Sequence, residues 1–395
     1  MGLIEERRYA QEFAEKIIER VKTKMYGMDD VIRLCLVALF VKKHVLLEGN
    51  PGLGKTSLVN EIAQTMSLDF RRIQFTPDLL PSDILITPRT VNINGQTTFE
   101  LADGPIFTSL LLADEINRAT QKTQAALLEA MGEKQVTING ETKRLDKDGA
   151  PFMVLATQNP VDHEGTYDLP EAQLDRFVFK IMMPTPTDTA LRDILAKTAG
   201  PLPSDHSVVK EETEEEKAKR RAETIEKFTI YHESIREIPP SPSVQAHIEN
   251  IFHATNGNFS AVSVGRSQED LRKLVDMMRY GLGPRAATDL LISAKAWTLF
   301  FGVSGQKLTS ATDIVVSHES LARIVIPVLR HRVKLNYAGR EDFSRLSKIN
   351  LGSSDLIDQF VMRLVLACIP VGSDFDSAYA QGFRQQLDLM KNRPY

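Results

Sequence analysis

Apolar residues recur every four positions at the start of the chain. Tyr9, Phe13, Ile17 and Val21 are separated by Glu, Arg and Lys, the period of a helix with one buried stripe. Gly27 ends that pattern, and Asp29 or Asp30 is placed to cap a second helix through Val31, Leu34, Val37 and Leu39. The spacing then changes. His44-Val45-Leu46-Leu47-Glu48 is a compact apolar run, followed at once by a glycine-rich turn and by helical spacing at Leu58, Val59, Ile62, Ala63 and Met66. Similar runs return at Arg72 to Phe75, Ser109 to Ala113, Phe152 to Thr157 and Phe177 to Met182. None alternates clearly with polar residues, so together they predict an α/β fold, a five-stranded parallel sheet between helices. Pro77, Pro81, Pro88 and the stretch Asn92-Ile93-Asn94-Gly95 predict loops and a hairpin between the second and third of these strands.

After Pro184 and Pro186 the strand-like runs give out and the spacing becomes mainly helical. Two domains follow: an α/β core over 1–187 and a helical lid over 188–395, the latter with an extension from about 371 to 395. Glu215 with Lys219, Glu216 with Arg220 and Glu223 with Lys227 have the favourable i,i+4 order of a solvated helix. Ile238-Pro239-Pro240-Ser241-Pro242 is a stiff connector, and Asn256 to Gly265 reads as a loop. Ala378, Phe383, Leu387 and Met390 predict a terminal amphipathic helix. His247 and His253 are six apart, which is not the spacing of a helical metal site, and both are expected to be solvated or partly packed.

Composition narrows the class. The 395 residues are 42% hydrophobic and 25% charged, ordinary values for a globular protein and far from those of a disordered chain. The net charge of −4 advertises neither nucleic acid nor an anionic membrane as a partner. The longest apolar run, Leu34 to Val41, falls well short of the roughly 20 residues that span a bilayer, so no membrane insertion is expected. Cys35 and Cys368 each sit in an apolar run, which fits two buried thiols of a reducing compartment better than a lone disulfide, and the first residues are charged where a signal peptide is apolar. The expected location is cytoplasmic.

The chemistry is concentrated in the first half. Gly49-Asn50-Pro51-Gly52-Leu53-Gly54-Lys55-Thr56 matches G-x-x-x-x-G-K-[ST] in full, and Ser57 continues into the predicted helix. Backbone N–H groups of such a loop point at a phosphate, and the helix N-terminus adds its positive end. Lys55 is expected to reach the β- and γ-phosphates of ATP, and the Thr56 hydroxyl to ligate Mg²⁺. Ser109 to Ala113 runs into Asp114 and Glu115. Beside a P-loop, the first acid is expected in the Mg²⁺ shell and the second to orient and deprotonate the attacking water, which indicates hydrolysis. Phe152 to Gln158 leads to Asn159, which emerges on the same side if the strands are parallel and is then placed to hold that water. Read alone, Asn159 before Pro160 has a turn residue as its weaker alternative. The absence of an Asn-Lys-x-Asp run weighs against a GTPase.

These motifs resemble the MoxR family of AAA+ ATPases. The resemblance is carried by Leu46 to Gly49 leading into the P-loop, Phe75-Thr76-Pro77-Asp78-Leu79-Leu80-Pro81-Ser82-Asp83-Ile84, Gly104-Pro105-Ile106-Phe107 and Leu112-Ala113-Asp114-Glu115-Ile116-Asn117-Arg118-Ala119. It continues through Ala156-Thr157-Gln158-Asn159-Pro160, Gly165-Thr166-Tyr167 and Leu169 to Phe177. It is dense over about 20 to 190 and returns at Gly283 to Ala287, Val328 to Arg332 and Leu356 to Pro370. Leu85-Ile86-Thr87-Pro88 and Asp168 depart from the family pattern without touching the nucleotide chemistry, while 200 to 280 and 371 to 395 do not align. The resemblance implies a homo-oligomeric ring, usually a hexamer, with ATP between neighbours. It implies that Arg176 is an arginine finger and Arg285 the lid's sensor arginine, and that Tyr26-Gly27-Met28 packs the adenine. From the residues alone, Arg176 is as well a salt-bridge partner of Asp175 or Glu171, and Arg285 a surface residue opening a helix.

Three functions compete. The resemblance implies chaperone-like remodelling or maturation of protein complexes, with protein clients and partners that can include von Willebrand factor A domain proteins. A nucleic-acid motor or loader would need a basic pore stripe that the net charge does not encourage. A nucleotide-gated scaffold would use ATP binding more than turnover. The charge balance favours a grip on protein over DNA.

Overall fold

The computed structural model describes residues 2–93, 96–160, 166–199, 213–264, 268–302, 314–349, 355–372 and 377–390. The Asn94-Gly95 turn and Gly165 lie outside them. The chain opens with α1 (Leu3–Lys22) and α2 (Asp29–Phe40), then β1 (His44–Glu48), α3 (Lys55–Met66) and β2 (Phe70–Gln74). A short α4 (Pro81–Leu85) precedes β3 (Ile86–Ile93), β4 (Gln96–Asp103), β5 (Leu110–Asp114) and α5 (Gln121–Glu133). Next come β6 (Gln135–Ile138), β7 (Glu141–Arg144), β8 (Met153–Gln158), α6 (Glu171–Leu174) and β9 (Phe177–Met182). Among the described residues, every later element longer than a single 3₁₀ turn is an α-helix: α7 (Asp188–Ala199), α8 (Glu214–Glu237), α9 (Pro242–Thr255), α10 (Gln268–Asp276), α11 (Pro284–Phe301), α12 (His318–Leu329), α13 (Tyr337–Ser347), α14 (Asp355–Ala367) and α15 (Ser377–Met390).

The five apolar runs form one sheet in the order β2-β5-β8-β1-β9. Strands β1 and β5 are buried at every position, as strands covered on both faces must be. The register is parallel, with Leu47 beside Thr157, Ala156 beside Ala113 and Gln74 beside Asp114, so the strands end level with one another. Packed on the sheet is a core that includes Phe75, Leu111, Leu128, Phe152 and Phe177.

Between β2 and β5 lies the expected hairpin, β3 paired antiparallel with β4 from Ile86 against Asp103 to Ile93 against Gln96. A second hairpin, β6 with β7, turns at Asn139 and Gly140, both with positive φ. That pair is the strongest short hairpin signal a sequence carries. The cap expected of Asp29 or Asp30 is not formed. Met28 occupies the N-cap position of α2 without a side-chain cap, and the two acids pair instead with Lys22 and Arg33.

Contacts divide the chain into two compact units. One takes in Glu12–Phe177 and Ile181–His232; the other Met1–Gln11, Val178–Lys180 and Glu233–Arg393. The first nineteen residues of α8 belong with the sheet. Phe228 stacks on Phe40 at 4.9 Å between ring centroids, Tyr231 is buried and Arg221 pairs with Asp69 at 2.5 Å, so α8 buries a face that its charge pattern hides.

The helical unit is closed by α15, where Tyr379, Phe383, Leu387 and Met390 are buried while Ala378 is exposed, one step from the expected stripe. His247 is not solvated as expected. It is fully buried, its Nε2 2.8 Å from the Val365 carbonyl and its Nδ1 2.8 Å from the Tyr379 hydroxyl, and burial pushes its pKa down to about 4. The partners lie more than a hundred residues away in sequence, which is why spacing alone did not reveal them. Both cysteines are buried and free, with thiol pKa values pushed up to about 12 by burial. Among the described residues no helix is long and apolar enough to cross a membrane.

Candidate nucleotide site

Because the strands end level, the loops that leave β1, β5 and β8 meet at one edge of the sheet. The loop after β1 runs from Gly49 through Asn50, Pro51, Gly52 and Leu53 to Gly54, and α3 begins at Lys55 with Thr56 and Ser57 in its first turn. Gly54 sits at the N-cap with φ +76°, a conformation that side chains resist. Gly49 is needed for a different reason: a Cβ there would stand 2.7 Å from that of Met183. Lys55 reaches back over the loop, its Nζ donating to the Gly49 carbonyl at 2.6 Å. Burial lowers its pKa, opposed by the charges of Asp114, Glu115 and Glu48.

The acid pair ends β5. Asp114 is buried; its Oδ1 accepts from the Thr157 hydroxyl at 2.5 Å and its Oδ2 from Arg72 Nη2 at 2.7 Å. Glu115 breaks the strand with φ +54° and ψ +50°, left-handed geometry uncommon outside glycine. Its N–H donates to the same Thr157 hydroxyl at 2.8 Å, and its Oε2 accepts from Gln74 at 2.9 Å and Arg118 at 2.8 Å. Arg72 also donates to Gln74 at 2.7 Å, so the edge strand β2 connects the two acids.

Arg72, Gln74, Arg118 and Thr157 were not singled out from sequence. The available signal was polar spacing on β2, where residues two apart share a face, together with the register that sets Gln74 beside Asp114.

Asn159 follows β8, with its side-chain oxygen buried and without a hydrogen-bond partner. An orphaned acceptor at this edge points to a missing donor. A cavity of about 230 Å³ opens beside the P-loop, lined by Tyr26, Gly27, Met28, Leu53, Pro184 and Ile194. It brings the Tyr26 segment to the phosphate loop and is mostly apolar, as a base pocket is. A larger cavity of about 370 Å³ lies where β2 and β5 begin, at the strands' opposite ends, so size does not mark the site here.

Arg176 lies between α6 and β9, half-buried. Its Nη1 donates to the Leu128 carbonyl at 2.6 Å, and no ion pair with Asp175 or Glu171 is formed among the described residues. Arg285 is the second residue of α11, exposed at its N-terminal end, in the helical unit.

A parallel sheet with a P-loop after its fourth strand in spatial order and an acid pair on the second defines a P-loop nucleotide-binding protein. Residues 44–179 match the ATPase family associated with various cellular activities (AAA). Chaperone MoxR1 of Mycobacterium tuberculosis is 34% identical over 328 residues, 83% of this chain and 77% of its own length. The uncharacterized protein YeaC of Bacillus subtilis is 44% identical over 288 residues, 72% of this chain and 78% of its own. The crystal structure of a candidate ATPase from Cytophaga hutchinsonii superimposes with a TM-score of 0.70 at 33% identity, covering 91% of this chain and 96% of that one. The chain belongs to the MoxR-type family of AAA ATPases. Membership implies ATP binding.

Proposed function

We propose that the protein hydrolyses ATP in a ring of its own copies, a hexamer by family resemblance, and uses the cycle to remodel or mature protein complexes in the cytoplasm. The observation that carries this reading is the meeting of Lys55, the Asp114–Glu115 pair and the orphaned Asn159 oxygen at one edge of the sheet. The backbone from Gly49 to Ser57 would wrap the phosphates, with Lys55 on the β and γ groups. Thr56 and Asp114 offer a hydroxyl and a carboxylate oxygen, hard donors that suit Mg²⁺. No group of three or more His, Cys, Asp or Glu assembles among the described residues, which fits an ion held by few side chains and by substrate phosphates. Bound there, Mg²⁺ would neutralise charge on the phosphates. Glu115 orients the attacking water and takes its proton, and Asn159 steadies it. Arg176 of a neighbouring copy would meet charge developing on the γ-phosphoryl group, and Arg285 would report nucleotide state to the lid.

The name of the M. tuberculosis relative, a chaperone, favours protein clients, among which von Willebrand factor A domain proteins are the first to test. Glu115→Gln is expected to cut phosphate release by about 100-fold or more while ATP still binds. Wild-type turnover in that variant would remove Glu115 from the chemistry. Turnover that rises many-fold with DNA and loses the effect steeply with salt would instead assign a nucleic-acid motor.

A further inference from the structure

Helix α5 touches Arg176 and the segment that leaves Glu115, the two places on which catalysis between subunits would turn. Gln124 is wholly buried, and its Nε2 lies 3.1 Å from the carbonyl oxygens of Ile116 and Ala119 and 3.2 Å from that of Tyr167. Tyr167 in turn donates its N–H to the Asn117 carbonyl at 2.7 Å. One amide thus ties the segment leaving Glu115 to the segment that leads through α6 to Arg176. A turn further along α5, the Leu128 carbonyl accepts from Arg176 Nη1. A turn beyond that is Gly132, where an added Cβ would stand 1.9 Å from Nη1 and 3.0 Å from Cζ of the same arginine. Residues 124, 128 and 132 are four apart and so share one helix face. The far end of the helix is pinned as well: His44 of β1 lies 3.1 Å from the Met131 carbonyl through Nε2 and accepts from the Val154 N–H through Nδ1.

We infer that this face of α5 is a positioning element for the shared half of the ATPase site: Gly132 and the Leu128 carbonyl seat Arg176 in its working orientation, and Gln124 holds that seat in register with the Glu115 loop of the same chain. The inference rests on the reading of Arg176 as an arginine finger. A guanidinium has five N–H donors, and the Leu128 carbonyl takes one, which leaves four for phosphoryl oxygens of a neighbour's nucleotide. Glycine is a poor helix former, so its place inside α5 calls for a local reason, and the arginine lying over its bare backbone supplies one. Each chain then couples the acid that serves its own nucleotide to the arginine that serves the next.

The Gly132 position gives a clean probe. What a new Cβ meets is the far end of a flexible side chain, and Gly132 is exposed, so alanine evicts the guanidinium without opening the fold. Full-length variants are mixed into common rings and phosphate release is measured. Arg176→Ala with Glu115→Gln, each inactive alone, should recover activity together. Gly132→Ala alone should lose about tenfold in turnover, with unchanged ATP affinity and a melting temperature no lower than wild type. Mixed with Glu115→Gln, whose finger is intact, it should recover; mixed with Arg176→Ala, it should not. Gln124→Leu, which removes the amide at similar volume, should bind ATP and recover with neither partner. Wild-type turnover of Gly132→Ala, its recovery with Arg176→Ala, or full recovery of Gln124→Leu with both partners would overturn the inference while the first pair stands. Failure of the first pair in demonstrably mixed rings would overturn the finger reading, and the inference with it.

Discussion

The ion pairs around the acid pair in one compact unit and the buried pairs of the other use charged side chains in opposite ways. In the helical unit Arg332 and Asp289 meet at 2.6 Å with 4% and 2% of their side chains exposed, and Arg330 forks onto Asp358 with two contacts of 2.6 Å. In the nucleotide unit the arginine partners of the two acids stay half in water: Arg72 is 47% exposed and Arg118 51%. A pair with water at one end contributes little and can be exchanged for a ligand, whereas a dry pair must stay matched. The first arrangement suits a site that a nucleotide completes. The second suits a scaffold that holds its shape, and it gives the Val328 to Arg332 signature a packing role.

Three measurements sharpen this contrast, beginning with the largest effect. Asp289→Asn removes the carboxylate charge that faces the buried Arg332 guanidinium and should cost about 3–5 kcal/mol in urea unfolding. A loss under about 1 kcal/mol, the range of exposed pairs, would erase the distinction between the units.

The second measurement is stability against pH. His44 of the nucleotide unit, with its pKa lowered to about 3 chiefly by burial, and His247 of the helical unit, at about 4, are both neutral when folded. In the unfolded chain each takes a proton near pH 6.5, so the stability they give is complete above that value and is lost as pH falls toward 4. At pH 5 the loss is about 2 kcal/mol for each. His247→Gln should flatten the slope between pH 6.5 and 4 by about one proton, and an unchanged slope would mean that His247 already titrates normally in the folded protein.

The smallest effect is expected at Arg72. Arg72→Met should change stability by no more than about 1 kcal/mol. Freeing Asp114 Oδ2 should lower the Mg²⁺ concentration for half-maximal turnover severalfold. A stability loss as large as that of Asp289→Asn would show that Arg72 is structural.

Local periodicity carried most of the nucleotide unit: each of the five strands is a short apolar run, and the P-loop sits between strand and helix where its glycines place it. What escaped was set across the chain. Arg72 and Gln74 gain their meaning from the register of β2 on β5, and Gln124 from carbonyls on two separate segments. The Asn139-Gly140 hairpin was local and legible, yet it lay between motifs with stronger chemistry. In α8 the charges describe the outer face, while Phe228 and Tyr231, three apart, mark the buried one.

The left-handed turn at Glu115 also governs how this region can change. Neighbours along an extended strand project to opposite sides, yet Arg72 and Gln74, from one face of β2, engage Asp114 and Glu115 respectively. The turn therefore cancels the alternation at one position and gathers two consecutive acids to the same side. An inserted or deleted residue between Leu110 and Asp114 would send the pair to the wrong side of the sheet. Variation can lengthen the hairpins around this strand, but its last step has a fixed count.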